Sequence, residues 1–536
     1  MGRFRRFAKS LKHKLSRKFN DTQSTFGATS YSSAQSPGST QSAETTEIVG
    51  LDDSGDYAVD SLRHSRTSDS SDGTTSTENA EPAPSLPEPS SQFISYLNQN
   101  QGDSTRALLQ PYLGYEKWLR HEFVNPNAEI DCYSNLVPIF NGQESLLKIR
   151  TIDYQLADKS RYLMPLEDHQ REEDQRLAIV ESLEEYQCNF DGFTRGMLAG
   201  LDWSNLVAAG SSALLPLLSR RKDVDIRCNP AVEKPAETYY QETASTSDVD
   251  IFLYGIDDED AAVRRIVEIE NIVRRNQNLL PNKGLTLRSE NAITFIAPKW
   301  PFRHVQIILR LYKSISEILT GFDVDCSCVA FDGKQVYTNP RGVAAIATRT
   351  NTIDLSRRSP SYENRLWKYR QHNFEVYWDA LDRERVKDID LEEYDVAHRN
   401  LTGLARLIFS EEMLKKNPGS EWKKNRNLRK LDDSRGPNMV VESFSGYTNH
   451  VLPYGMQLTA NSVRSAVTNY AETPYMFGTI QEVTDPTNKN CKWKLKKNRR
   501  IKLTKKVTFI KLDPGRQMIG SFYPRTADDW TRMAYE

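Results

Sequence analysis

Residues 245–255 are Ser-Thr-Ser-Asp-Val-Asp-Ile-Phe-Leu-Tyr-Gly, with two aspartates at the head of an apolar run that ends in glycine. The run Ile-Phe-Leu-Tyr predicts a strand that passes through a core. Because side chains alternate along a strand, Asp248 and Asp250 would project from the same face. Two carboxylates held side by side repel each other unless a cation or a proton lies between them. The stretch therefore predicts either a metal site at the edge of a sheet or two strand-end aspartates, with Asp248 in solvent and Asp250 in a salt bridge to an arginine.

The Asp-Val-Asp triplet occurs twice more, and the surroundings rank the three copies. Asp223 and Asp225 are followed by one apolar residue and soon by Pro230, which indicates a surface excursion. Asp323 and Asp325 precede a mixed run of cysteines and apolar residues that is typical of a strand. We expect Asp248 and Asp250 to be the rigid pair, because the apolar strand that follows them is the best defined.

A glycine-serine turn lies upstream of this strand. Gly210, Ser211 and Ser212 follow an apolar Val-Ala-Ala and open the helical pattern Ala-Leu-Leu-Pro-Leu-Leu. Backbone N–H groups at the start of a helix bind phosphate oxygens. Mg²⁺ usually takes one or two carboxylates together with substrate phosphates. The two elements together predict Asp248 and Asp250 as metal ligands and the turn as a phosphate contact.

The sequence that follows sets the fold class. Residues 256–276 have acids at the start, apolar residues at helical spacing and basic residues at the end, which complements a helix dipole. Strand patterns follow at 291–296, 302–310 and 322–331, and an Asp-Gly pair at 332–333 predicts a hairpin turn. This order of elements predicts an α+β domain with a mixed sheet.

The combination of Gly-Ser, a helix and a strand headed by Asp-x-Asp resembles the nucleotidyltransferase superfamily of the DNA polymerase β type. The matching stretches are VAAGSS at 207–212 and SDVDIFLYG at 247–255, with a long insertion between them. The resemblance implies that the Gly-Ser turn contacts the triphosphate of an NTP and that Asp248 and Asp250 hold Mg²⁺. It also implies a third acid on a neighbouring strand.

The third acid is where the chain departs from this pattern. By strand order its position is Gln306, whose neutral amide is a poorer Mg²⁺ ligand and accepts no proton from an attacking hydroxyl. Asp323 or Asp325 would substitute if both lie on one face of the next strand, and otherwise they cap its entrance. Asp325 is therefore the predicted third catalytic residue beside Asp248 and Asp250.

Residues 207–374 also resemble an uncharacterised domain of fungal and large-DNA-virus proteins, some of which carry ankyrin repeats. The matching stretches are SDVDIFLYG, FRHVQIILRLYKSISEILTGFDVDCSCVAFDG and SRRSPSYENRLWKYRQHNF. The chain contains no ankyrin pattern such as Thr-Pro-Leu-His. This second resemblance implies a coherent domain and no particular reaction.

The last of these stretches is basic and aromatic at helical spacing, and it allows two interpretations. The helix would approach the phosphates of a nucleotide or nucleic acid, or it would be a core aromatic stripe with a solvated basic edge. Its cations are Arg357, Arg358, Arg365, Lys368 and Arg370.

Both ends of the chain are also basic. Residues 1–20 carry basic residues with Phe4, Phe7 and Leu11 at helical spacing, which suits an anionic membrane surface, a transit peptide, a nuclear address or a plain basic tail. Residues 21–92 are rich in Ser, Thr, Gly, Pro and acids, so we expect disorder. The segment 489–506 predicts a hairpin whose basic face contacts nucleic acid or anionic lipid, or acts as a charged sheet edge.

Composition narrows the classes of protein. The net charge is −1, and the six cysteines and eight histidines show no zinc-binding spacing and no disulfide framework. No apolar run reaches the roughly 18 residues of a membrane span, which predicts an intracellular protein, cytoplasmic or membrane-peripheral, with nuclear and mitochondrial locations left open. The predicted organisation is 1–20 basic segment, 21–92 disordered linker, 93–194 helical lead-in, 195–350 nucleotidyltransferase-like core and 351–536 C-terminal helical and β-hairpin region.

Three functional hypotheses follow from the sequence. The first is a metal-dependent transferase that moves a nucleotidyl group from an NTP to an unknown acceptor. The second is a catalytically lapsed form that binds a nucleotide or a partner. The third is a peripheral adaptor that uses its basic ends on anionic surfaces. Gln306 is the residue that divides the first two.

Overall fold

A computed structural model provides the fold. It describes residues 82–386 apart from 126–127, 221–234, 246, 281–282, 290–291 and 359–361, and short pieces between 404 and 509. The expectations for residues 1–20, for most of the linker and for the Asp223–Asp225 pair lie outside the described residues. At 82–92 the disorder prediction is wrong: Ser90 is buried, Leu86 packs on the core and the Tyr112 hydroxyl donates to the Glu88 carbonyl at 2.8 Å.

The described elements alternate helices with short strands. The α-helices are α1 (Phe93–Gln99), α2 (Thr105–Val124), α3 (Ile152–Leu156), α4 (Leu183–Thr194), α5 (Ser211–Leu217), α6 (Ala236–Thr243), α7 (Glu259–Asn276), α8 (Ile315–Thr320), α9 (Pro340–Thr348), α10 (Tyr362–Arg370) and α11 (Ile480–Thr484). The strands are β1 (Val137–Pro138), β2 (Tyr162–Leu163), β3 (Leu206–Ala209), β4 (Val249–Tyr254), β5 (Leu285–Arg288), β6 (Ala292–Ile296), β7 (Val305–Tyr312), β8 (Val329–Phe331), β9 (Val336–Thr338), β10 (Thr350–Thr352), β11 (Glu375–Tyr377), β12 (Ser443–Phe444), β13 (Tyr447–Thr448), β14 (Tyr475–Gly478) and β15 (Lys492–Lys494). Short 3₁₀ turns cover Ser90–Gln92, Glu144–Leu146, Lys159–Arg161, Asp168–Gln170, Asp325–Ser327, Leu355–Arg357 and Arg383–Val386.

One mixed sheet organises the domain, and the predicted α+β class is confirmed. Its strand order is β1-β9-β8-β3-β4-β7-β6-β5-β14-β15. The central strands β4 and β7 run parallel, while the other paired strands described in this sheet are antiparallel. Helix α7 and the hairpin β5–β6 make the connection that a parallel pair requires.

The sheet separates two apolar clusters. On one face Ile251 and Leu253 of β4 pack with Ile266 and Ile269 of α7 in the larger core. On the other face Phe252 joins a smaller cluster with residues of β7 and α8. Because side chains alternate, Asp250 lies on the same face as Phe252, which is the less covered face.

Several sequence predictions are confirmed element by element. Helix α7 starts at the Asp258 cap, whose carboxylate accepts from the N–H groups of Asp260 and Ala261, both at 3.1 Å. Strands β6 and β7 form where 291–296 and 302–310 predicted them. The Asp-Gly turn joins β8 to β9, and Gly333 has φ of +88°, in the left-handed region that favours glycine.

Other predictions are wrong in local detail. A proline within a helical pattern predicts an interruption at Pro111, yet α2 runs unbroken from Thr105 to Val124 with Pro111 exposed. The strand expected over 322–331 is confined to Val329–Phe331, after a 3₁₀ turn at Asp325–Ser327. Near the C-terminus β15 pairs with β14. The second arm of the hairpin expected over 489–506 lies outside the described residues, so that hairpin stays a prediction.

The lead-in at 93–194 shares its packing with the core. Strand β1 pairs with β9 at the edge of the main sheet, and helix α2 packs against α9. No helix in the described part of the chain has the length and apolarity needed to cross a membrane.

A buried ion cluster ties α2 to the segment after the sheet. Glu116 of α2 accepts from Arg341 of α9 at 3.1 Å and from Arg357 at 2.5 Å, and all three side chains are at most 4% exposed. Arg341 also donates to Asp325 at 2.9 Å. Burial disfavours the Glu116 carboxylate, but Arg341 and Arg357 more than offset this, so the pKa of Glu116 is lowered. The cluster fixes the helical lead-in on the core.

We predict that Glu116→Gln lowers the free energy of unfolding by about 3–5 kcal/mol at pH 7, because it removes the anion that two buried arginines share. A group whose pKa is lowered on folding stabilises above its ordinary pKa, and that stabilisation is lost as the pH falls through the folded-state pKa. The difference between variant and wild type should therefore narrow in acid. Urea denaturation at several pH values measures it.

The matched control is Glu129→Gln, at an exposed position, which should change stability by less than about 0.5 kcal/mol. A Glu116→Gln variant as stable as this control at pH 7 would contradict the role given to the cluster.

Candidate nucleotide and metal site

The Gly-Ser turn joins β3 directly to α5. Gly210 has φ of +74° and ψ of −139°, a conformation that residues with a Cβ rarely adopt. Its N–H donates to the Val329 carbonyl at 3.0 Å, so this donor belongs to the sheet and not to a ligand, contrary to the sequence expectation. Ser211 and Ser212 are the first residues of α5, where N–H groups have no intrahelical acceptor. Both are buried, and the Ser212 hydroxyl donates to the Ala209 carbonyl at 3.1 Å.

Strand register brings the turn to the acidic pair. Ala209, the residue before Gly210, pairs with Asp250 of β4. Asp250 in turn pairs with Gln306 of β7, and Gln306 pairs with Thr294 of β6. These cross-strand partners form one row on one face of the sheet. The position next to Asp250 thus holds Gln306, whose Nε2 donates to Thr294 Oγ1 at 3.2 Å.

Asp250 is the electrostatically costly residue of the row. Its Oδ1 is buried and accepts no hydrogen bond from the described protein atoms. Burial and the neighbouring charge of Asp248 raise the pKa of Asp250 well above its ordinary value, and Lys368 and Arg365 offset this only in part. A buried carboxylate oxygen without a donor is destabilising unless a proton or a cation is supplied. The geometry therefore fits a cation at this oxygen.

Helix α10 supplies positive charge from across the Gly-Ser turn. Lys368 Nζ donates to Ser211 Oγ at 3.1 Å, while Arg365 is paired with Asp323 through an Nε–Oδ1 contact of 3.1 Å. Burial, together with Lys368 and Arg303, lowers the pKa of His372 just beyond this helix to about 3, so its imidazole is neutral at pH 7.

The other cations of the basic-aromatic stretch serve the fold. Arg357 belongs to the ion cluster, Arg358 pairs with Glu363, and Arg370 donates to the Pro165 carbonyl at 2.8 Å. These arginines are buried, whereas Lys368 lies beside the Gly-Ser turn.

Asp325 does not stand on a strand beside the acidic pair. It lies in the 3₁₀ turn, where Oδ1 accepts from Arg341 at 2.9 Å and Oδ2 accepts from the Thr352 N–H at 2.6 Å. Burial raises the pKa of Asp325, and Arg341 only partly offsets this. With both oxygens engaged, Asp325 is tied to the ion cluster, and Asp323 is tied to Arg365. The placement of both acids on one strand face is wrong.

The donor set available to a metal is small. Within the described ranges no three His, Cys, Asp or Glu side chains gather closely enough to hold a metal ion. Asp248 and Asp250 provide two carboxylates, which is the number that protein Mg²⁺ sites often contain when substrate phosphates complete the coordination. The residues present therefore fit a metal that binds together with a nucleotide better than a metal held by protein alone.

The comparisons cover the middle of the chain. Residues 180–349 match the family model described as Gad2, Gabija anti-defense 2 family protein. A mimivirus protein (Acanthamoeba polyphaga mimivirus), named uncharacterized protein R883, is 33% identical over 175 residues. That match covers 31% of this chain and 38% of the viral protein. No solved structure matches the chain.

We predict opposite stability effects for the half-buried Asp250 and the buried Asp325. In metal-free protein Asp250→Asn should raise the free energy of unfolding at pH 7 by about 1 kcal/mol or more, because a pKa raised by folding makes ionisation costly, at 1.36 kcal/mol per unit. Asp325→Asn should lower it by about 1–3 kcal/mol although the pKa of Asp325 is also raised. Both of its oxygens accept hydrogen bonds, from Arg341 and the Thr352 N–H, and the amide nitrogen of asparagine cannot accept either one. The contribution of Asp250 to wild-type stability should be lost as the pH rises from about 4 towards its folded-state pKa, and Asp250→Asn should remove this part of the pH dependence.

Thermal and urea denaturation in the presence of a chelator measure both variants. If Asp250→Asn destabilises the metal-free protein as much as Asp325→Asn, then Asp250 is a structural residue and the site assignment fails.

Proposed function

We propose that Asp248, Asp250, the Gly210–Ser212 turn and Lys368 bind a nucleoside triphosphate together with Mg²⁺, in a nucleotidyltransferase-like site. The observation that carries this is the register that sets the buried, unpartnered Oδ1 of Asp250 beside the residue preceding Gly210. A carboxylate that needs a cation and a turn that suits phosphate are thus adjacent. The resemblance to the nucleotidyltransferase superfamily supports the same residues.

Each group has a role in this proposal. The N–H groups of Ser211 and Ser212 and the ammonium of Lys368 would neutralise phosphate oxygens. Asp248 and Asp250 would hold the metal, which when bound stabilises charge on the attacking and leaving oxygens of an in-line transfer. In that transfer an acceptor hydroxyl oxygen bonds to the α-phosphorus, the bond from that phosphorus to the bridging oxygen breaks, and pyrophosphate leaves. The hydroxyl proton passes to water, since Gln306 cannot accept it.

Because Gln306 is not an acid, we expect nucleotidyl transfer at this site to be slow. The third acid that the superfamily resemblance implies at this position would supply a metal ligand and a proton acceptor. General-base catalysis typically raises a reaction rate by 10²- to 10⁴-fold. The second candidate, a lapsed site that binds nucleotide or partner without turnover, rests on this same residue. The third candidate, a peripheral adaptor, rests on basic ends, most of which lie outside the described residues.

The name of the matched family adds a candidate biological role, the counteraction of a defence system. We extend that role to this chain only as a proposal, because the match spans about a third of the chain. The acceptor and the nucleotide base are likewise open to experiment.

The binding proposal is tested by calorimetric titration with Mn²⁺ plus ATP. We predict loss of the signal in Asp248→Asn and at least a tenfold weaker affinity in Lys368→Met, because each removes charge that faces the metal or the phosphates. Asp223→Asn, in the rival triplet, is the matched control and should bind like wild type. The reverse pattern would move the site to that triplet.

The Gln306 position is tested by adding the acid. We predict that Gln306→Asp binds Mn²⁺ more tightly and transfers labelled nucleotide from an NTP faster than wild type, while Gln306→Asn does neither. Robust wild-type transfer that Gln306→Asp leaves unchanged would show that the third position is not limiting.

A further inference from the structure

A buried arginine next to the acidic pair donates hydrogen bonds to several backbone carbonyl groups. Arg303, just before β7, is 3% exposed. Its guanidinium donates to four carbonyl oxygens: Phe193 at 2.6 Å, Tyr240 at 3.0 Å, Ala244 at 2.6 Å and Ser247 at 2.7 Å. It also stacks over the Phe193 ring, with Cζ 3.9 Å from the centroid.

Three of the four carbonyls come from the ends of two helices. Phe193 is in the last turn of α4, and Tyr240 and Ala244 are at the end of α6. A helix C-terminus carries unsatisfied carbonyls and partial negative charge, so two such ends converging on one point attract a cation. Gly192 lets α4 approach the first turn of α6 closely, since a Cβ at this position would lie 2.5 Å from the Ala236 Cβ. Arg303 thus joins α4 and α6 at their negative ends.

The fourth carbonyl extends this link to the site. Ser247 directly precedes Asp248, and its oxygen is held by the Arg303 side chain. Val249 directly follows Asp248, and its N–H donates to the carbonyl of His304, the neighbour of Arg303, at 3.0 Å. Asp248 itself lies just outside β4. The backbone on both sides of Asp248 is therefore fixed by residues 303 and 304.

We propose that Arg303 is the positioning residue for Asp248: it makes the end of α6 and the aspartate one unit, so that the carboxylate stands beside Asp250. This inference rests on the proposed function for its consequence in metal binding, and on geometry alone for its consequence in backbone order. Arg303 itself touches no reacting atom. Lysine, a single point charge, can replace only part of a planar guanidinium that serves four acceptors.

A matched control exists in the same domain. Arg274 is also fully buried, and it donates to the carbonyls of Ile296 at 2.7 Å and Leu285 at 2.8 Å, but it pairs with Glu270 and holds strands β5 and β6 instead of the approach to Asp248. Arg274→Lys and Arg303→Lys should therefore both lower the melting temperature. Only the second should disturb the acidic pair.

The experiment compares the full-length wild type, Arg303→Lys and Arg274→Lys, well below their melting temperatures. Hydrogen exchange, followed by mass spectrometry, should show faster exchange for the peptide spanning 244–252 in Arg303→Lys and for the peptides spanning 285–296 in Arg274→Lys. Mn²⁺ affinity measured in the presence of ATP should fall by about 10- to 100-fold in Arg303→Lys, the usual effect of losing the support of a metal ligand, and stay within about threefold of wild type in Arg274→Lys.

If hydrogen exchange at 244–252 is unchanged in Arg303→Lys, the inference is overturned, whatever the effect on Mn²⁺ affinity. Equal loss of Mn²⁺ affinity in both variants would overturn it too, since the loss would then follow stability. If wild type binds no Mn²⁺ in the presence of ATP, the proposed function fails, while the exchange pattern still decides whether Arg303 holds the backbone of Asp248.

Discussion

The register of β3, β4 and β7 is the constraint on which the candidate site depends. It sets Ala209 opposite Asp250 and Asp250 opposite Gln306. A slip of one residue would turn Asp250 into the larger core and bring an isoleucine or valine to the site, because side chains alternate along a strand. The two apolar residues that follow Asp250 oppose such a slip, since Ile251 belongs to one cluster and Phe252 to the other. Ordinary core packing thus holds a costly carboxylate in place.

The sequence predicts those parts of the structure that depend on local patterns. The helix at 259–276 and the strands β4, β6 and β7 follow from spacing, and the position of Gln306 follows from strand order. The strand prediction for 322–331 is wrong at its start because Asp325 bonds to Arg341 and to the Thr352 N–H. Strand propensity takes no account of such distant partners. A buried carboxylate takes the conformation that satisfies its oxygens, and here that is a 3₁₀ turn.

Residues that bind backbone are the hardest to foresee. Arg303 contacts carbonyls, which every residue has, so its role leaves no pattern in the sequence. The sequence indicates Lys368 as one of several candidate cations in a basic, aromatic helix. The structure then distinguishes it from the buried arginines of the same stretch. The family match ends at residue 349, so it includes the turn, the acidic pair and Arg303 but not Lys368. The charge that faces the phosphates in our proposal therefore comes from beyond the matched region.

The ion cluster between Glu116 and Arg357 has a consequence for how the chain is made. The two partners are 241 residues apart. At about 5–20 residues per second, ribosomes need roughly 10–50 s to synthesise the interval between them. During that time the nascent helix carries a carboxylate whose burial is unfavourable, so α2 is expected to remain solvated until α9 and Arg357 emerge. Docking of the lead-in is then a late step of biogenesis, and a nascent chain stalled before residue 341 would keep the apolar face of this helix open to chaperones.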